Sequence, residues 1–343
     1  MFMKITSILF FTVLFCLNSY FVHSQDFICK YSGYTCSEIM FKDLRIQNKT
    51  YYKKFSEVPF TGKVVGSYKG LMIDGKKNGS WVLFYENGRM QSKEFYKNGL
   101  RHGNWESYNK NGYGSSSGKY KKGYKDGLWK TFFKNGNVRI EENYSNGELN
   151  GYQKEYFLNG NLKKSTKYKN GILGGYFESF SVDGKYKSKG SYIKGKRQGK
   201  WYSYFDDGVL ASIANFNKGK YDGEVEFFDS SGWTITEGQY KDGKPHGLWR
   251  GYNGYKVTQI SNFKNGKLHG AWILSYKIGN IQEKGNYRDG KKIGIWETFL
   301  NDGTLQKKGK FVDGLKSGTW YVFDKFEKLS RTELWYKGMK IHK

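Results

Sequence analysis

Glycine returns along this chain at a fixed interval. It stands at positions 75, 99, 123, 147, 171, 195, 219, 243, 266, 290, 314 and 338, so every interval is 24 residues except one of 23, between Gly243 and Gly266. A fixed period of that size dictates a repeat architecture, in which one small unit stacks on copies of itself. The other slots keep the same beat. Four residues on comes a second glycine, from Gly79 and Gly103 through to Gly294 and Gly318. Two beyond that is a tryptophan slot, filled by Trp81, Trp105, Trp129, Trp201, Trp249, Trp272, Trp296 and Trp320, with Gln153, Phe177 and Val225 as departures. A further aromatic follows three residues later in most units, and another, such as Tyr96, Tyr192 or Phe216, stands three before the next repeat glycine.

Between these aromatic runs lie Asn-Gly or Asp-Gly pairs, as at Asn87-Gly88, Asn111-Gly112, Asp207-Gly208 and Asp302-Gly303. Such a pair between two short apolar runs predicts a β-hairpin closed by a type I′ turn, which needs positive φ at both central residues. The residue before the second glycine is often Asn, Asp or His, as at Asn78, His102, Asp126 and His246. These types tolerate left-handed backbone, so a turn is expected there too. The reading is an all-β chain: an extended antiparallel meander of about eleven 24-residue β-hairpin repeats over residues 58–338.

Composition supports a thin aromatic core. Aromatics make up 19% of the chain, and there are 45 glycines against 2 prolines, while all hydrophobic types together reach only 37%. Too few aliphatic residues remain to fill a thick α/β core, and disordered chains lack aromatics. Recurring slots should form two files across the sheet, tryptophans in one and second-strand aromatics in the other.

The ends follow other rules. Lys4, the apolar run Ile5–Leu17 and Val22-His23-Ser24 form the pattern of a secretory signal over residues 1–24. The mature protein is then expected to be secreted, periplasmic or on the cell surface. Cys16 leaves with the signal, and Cys29 and Cys36 remain as a candidate disulfide or as two free or separately paired thiols. Residues 25–57 are expected to cap the sheet, and residues 339–343 to form a C-terminal tail.

The unit DGKKNGSWVLFYENGRMQSKEFYKNG, at residues 74–99, resembles the MORN-repeat variant of bacterial proteins grouped as the YwqK antitoxin-like family. That resemblance covers about residues 58–338 and implies an extended all-β repeat fold without an active site.

No residue pattern points to catalysis, and no cofactor or metal site is expected. His102, His246 and His269 share one turn slot with Asn and Asp, and no Gly-Lys-Ser/Thr phosphate loop occurs. The net charge of +27 is the remaining functional signal. Paired lysines such as Lys291 and Lys292 are candidate anion-binding residues. A solvated sheet border, or a bias toward Lys, Asn, Tyr, Phe and Ile together, accounts for the same charge. The expected function is a secreted, non-enzymatic binding or scaffolding surface for another protein or for envelope components such as membrane head groups or acidic polysaccharide. The alternative is an antitoxin-like inhibitor of a partner protein. Nucleic acid is disfavoured, because the aromatics are needed as core.

Overall fold

The structure, a computed structural model, describes residues 37–341. The signal segment, Cys29 and Cys36 lie outside the described residues. The described residues form two compact units, the first ending at Gly160 and including Tyr168–Gly171, the second made of Asn161–Lys167 and everything from Ile172 onward.

In the first unit Glu38–Met40 lies parallel to Gly62–Val65, and a separate small hairpin pairs Leu44–Gln47 with Thr50–Lys53. These segments bring Ile39, Phe41, Leu44 and Tyr51 against a core of Phe60, Val64, Met72, Trp81 and Tyr96. Antiparallel pairing then runs strand by strand through Lys76–Phe84, Met90–Lys97, Gly103–Tyr108 and Gly114–Lys121 to Glu148–Tyr156. The parallel pair and the separate hairpin depart from the meander among the described residues. The parallel pairing covers the backbone edge that Gly62–Val65 would otherwise expose. The second unit repeats the antiparallel ladder from Ile172–Phe180 to Met339–Ile341, whose last strand pairs with Leu329–Tyr336.

The chain is thus all-β and built of hairpins, but its turns are distributed differently from the sequence expectation. At Asp207-Gly208 only the glycine is left-handed, with φ 89°. Phe205 N–H donates to Val209 O at 2.8 Å, enclosing a three-residue loop of type I turn plus glycine bulge. Asp207 is there for its side chain: Oδ1 accepts from the Val209 N–H at 2.9 Å. Asn87 and Asp302 do the same for Arg89 and Thr304. The type I′ turns lie instead between repeats. Lys218 (φ 50°) and Gly219 (φ 88°) are both left-handed, and they join the paired residues Asn217 and Lys220. The residue before the second glycine is not left-handed either. Gly199 alone has positive φ, 69°, and sits where the register of its strand shifts against the preceding one. The second glycine marks a bulge rather than a turn.

Candidate binding surface

Alternation along each strand sends Trp201 to one face of the sheet and its neighbour Tyr202 to the other. Trp201 pairs with Ala214, Tyr202 with Ile213. On the tryptophan face the indole lies flat over Gly190 of the preceding strand, so closely that a Cβ on Gly190 would come within 2.3 Å of a ring carbon. Its Nε1 donates to the Ser191 carbonyl at 3.1 Å. The register shift between Lys189 and Ser191 leaves that region of backbone without its usual ladder partner, and the indole covers it. Gly70, Gly118, Gly238, Gly285 and Gly309 hold Trp81, Trp129, Trp249, Trp296 and Trp320 in the same way. The glycine is always eleven residues before its tryptophan. Sequence reading missed this spacing, although it was there to be counted.

Where that position carries a side chain, the slot often changes with it, although Trp272 keeps its ring with Ser261 at that position. Ala214 pairs with Val225, and Glu142 accepts from Gln153 Nε2 at 2.7 Å. Gln153 is therefore accounted for by a local contact. Trp105 follows Glu94 and donates to Glu94 Oε1 at 3.4 Å instead of to backbone.

A cation closes the arrangement. Lys77, Lys125, Arg197, Lys292 and Lys316 stand two residues after their repeat glycines. The charged heads lie 4.5, 4.4, 4.5, 3.7 and 4.5 Å from the centroids of Trp81, Trp129, Trp201, Trp296 and Trp320. Such contacts contribute roughly 0.5–2 kcal/mol each. Lys292 also pairs with Glu283 at 2.6 Å. It is thereby engaged by protein on two sides and is not placed to receive an anion. Lys291, one residue earlier, is exposed at the turn. The two candidates do not form one patch.

Glu94 is the best-connected acid of the first unit. It is 5% exposed and accepts from Ser92, Tyr96, Arg101 and Trp105. Burial pushes its carboxyl up, but the Tyr96 hydroxyl, Arg101 and Trp105 outweigh that and hold it below the usual range. A carboxyl lowered on folding stabilises above its unfolded pKa, and the contribution is lost as pH falls through the folded value. We expect the melting temperature of the wild type to fall more steeply from about pH 5 to pH 3 than that of Glu94→Gln. Parallel thermal melts check this, and identical slopes would remove Glu94 from the account.

The opposite face mixes side chains such as Tyr202 and Ile213 with ion pairs. Lys130–Glu141, Glu237–Arg250, Lys284–Glu297 and Glu297–Lys308 form ion pairs of 2.9, 2.9, 3.0 and 2.9 Å. A groove of about 620 Å³ in the second unit is lined by Lys200, Ile213, Glu224, Glu226, Glu237 and Arg250. Glu226 and Glu237 stand directly opposite each other in register. Thr234 donates to the first, and Arg250 and Tyr252 to the second. Among the described residues no group of three or more His, Cys, Asp and Glu is arranged to hold a metal ion.

The model of the MORN repeat variant matches residues 77–98, 125–146, 149–170, 197–218 and 221–242. This chain carries MORN repeat variants. No curated protein matches it. Among solved structures, the crystal structure of TcdB2-TccC3 is 14% identical, covering 78% of this chain and 16% of its own, with a TM-score of 0.14. The crystal structure of TcdB2-TccC3-Cdc42 is 15% identical, covering 83% and 17%, with a TM-score of 0.13. At those scores the likeness bears on neither fold nor function.

Each matched MORN segment starts two residues past a repeat glycine and ends on the left-handed residue before the next. One segment therefore spans the seat of the cation, the tryptophan slot, the three-residue loop and the second-strand aromatic. The glycine that seats its tryptophan belongs to the repeat before. Unmatched stretches keep the same geometry: Trp296 and Trp320, beyond the last matched MORN segment, have the same glycine seats and cationic caps as Trp129 and Trp201. MORN repeats of this kind make a repeat-based binding or scaffolding protein.

Proposed function

We propose that this chain is a non-catalytic repeat protein that works outside the cytoplasm and offers its surface to anionic envelope components. The observation that carries the reading is how the tryptophan face is used. Its aromatics rest on backbone glycines below and are capped by Lys or Arg above, so that face is core. The far face neutralises much of its own charge in ion pairs. Positive charge left over is concentrated at turns, where it reaches solvent and can attract anions over a Debye length of about 8 Å at physiological salt.

Binding of this kind adds many weak contacts, each lysine contributing roughly 1 kcal/mol near a negative surface. The full chain is expected to sediment with anionic vesicles or with acidic polysaccharide at low ionic strength. It should release both by about 0.5 M salt, where the Debye length is roughly 4 Å. Fractionation of cells expressing the full chain should recover a shortened product outside the cytoplasm. An uncleaved cytoplasmic product, or failure to associate with either anionic surface at low salt, would overturn the reading.

A further inference from the structure

One edge of the second unit collects positive charge in a line. Lys196, Lys220, Lys244, Lys267 and Lys291 each follow the repeat glycine in five consecutive repeats. All five are exposed. None has an ion pair or side-chain hydrogen bond among the described residues. Four of them pack alike against the next turn: a Cβ on Gly219, Gly243, Gly266 or Gly314 would come within 3.6, 3.8, 3.6 or 3.8 Å of the Cβ of Lys196, Lys220, Lys244 or Lys291. Two strands separate neighbours in the file, which sets a spacing of about 10 Å.

The surrounding turns reinforce the charge. Lys194, Lys218, Lys241, Lys264 and Arg288 stand beside the file, against Asp222, Asp242 and Asp289. The loops at the other strand ends mix both signs, with Asp183, Asp206, Asp207, Asp229 and Asp302 against Lys185, Lys277 and Lys325. Strands of eight or nine residues lie between the two edges. That is about 25–30 Å, several Debye lengths at physiological salt, so each edge presents its own field.

We infer that this lysine file is a track for a linear polyanion whose charges recur on the same interval of about 10 Å, as in a polysaccharide with one carboxylate per disaccharide. The inference rests on the reading of the chain as an anion-binding surface. A file one strand-end wide engages a line of charge better than a plane of head groups, which would call on a whole face. Duplex nucleic acid, with a charge about every 1.7 Å, is too dense to pair with it one to one. Single strands would need aromatic platforms, and here the tryptophans are seated in the core.

The test compares two triple variants of the full chain with the same change in net charge: Lys220→Glu/Lys244→Glu/Lys267→Glu in the file, and Lys185→Glu/Lys277→Glu/Lys325→Glu on the opposite loops. The probes are hyaluronate oligomers of increasing length and phosphatidylglycerol vesicles, at low salt. For wild type, affinity should rise with oligomer length until five carboxylates are spanned. The file variant should lose at least tenfold in affinity for the longest oligomer, the loop variant less than threefold, with both retaining the wild-type melting temperature. Should the file variant melt early, the corresponding triple Lys→Gln variant replaces it, with the same expected ranking. Equal losses in the two variants would refute the track while leaving an anion-binding surface intact. A file-dependent preference for vesicles over oligomers would also refute it, in favour of a membrane surface. Wild type that binds neither probe would remove the underlying reading as well.

Discussion

Truncating Trp201 to alanine is expected to cost about 3 to 5 kcal/mol, the range for removing a large aromatic from a packed site. Trp201 is 4% exposed and stacks on Phe177 at 5.5 Å, with Tyr192 and Phe216 edge-on at 4.9 and 6.2 Å. Its loss also leaves the Ser191 carbonyl without its indole donor and Arg197 without the ring 4.5 Å beneath it. Repeat proteins hold together through nearest neighbours, so the damage should stay local. Hydrogen exchange should accelerate across residues 176–228 before it does elsewhere in the second unit. Protection left unchanged in that stretch would contradict the packing described for the tryptophan face.

Adding a single methyl group at Gly190 is expected to do nearly as much harm. The methyl carbon of Gly190→Ala would come within 2.3 to 2.7 Å of three indole carbons of Trp201, and Phe177, Tyr192 and Phe216 crowd the ring against moving away. Overpacking usually costs about 1 to 3 kcal/mol, and a rigid ring as the obstacle places this case at about 3. The decisive measurement is a double-mutant cycle. With Trp201 already alanine, the obstacle is gone, and Gly190→Ala should become neutral or even favourable by up to about 1 kcal/mol, since alanine loses less backbone entropy than glycine in a strand. Additive effects of the two substitutions would mean that glycine is required there for some other reason.

The period, the hairpins and the aromatic slots were legible because they depend on local chemistry that every repeat states again. The turns were not. Both junctions of a repeat carry Asn, Asp or Lys before glycine, and composition alone does not distinguish a two-residue type I′ turn at Lys218-Gly219 from a three-residue loop at Asp206–Gly208. The deciding quantity is the register of the paired strands, which the bulge at each second glycine shifts by one residue. The placement of the candidate anion-binding pair was not legible. Lys291 and Lys292 look like one basic pair in sequence, yet a strand sends adjacent side chains to opposite sides. One meets solvent, and the other meets Trp296 and Glu283. The lysine file escaped notice because its members are 23 or 24 residues apart.

The seat of each tryptophan has a consequence for how a chain like this can grow or drift. Because the ring is housed by the repeat before its own, a duplicated 24-residue block arrives needing a suitable host upstream, and itself becomes host to whatever follows. A mutation at the ring and a mutation at its host are tied, as Val225 with Ala214 and Gln153 with Glu142 already illustrate. Inheritance in this protein therefore runs across the joints between copies, and a repeat transplanted without its predecessor would carry a ring with nowhere to lie.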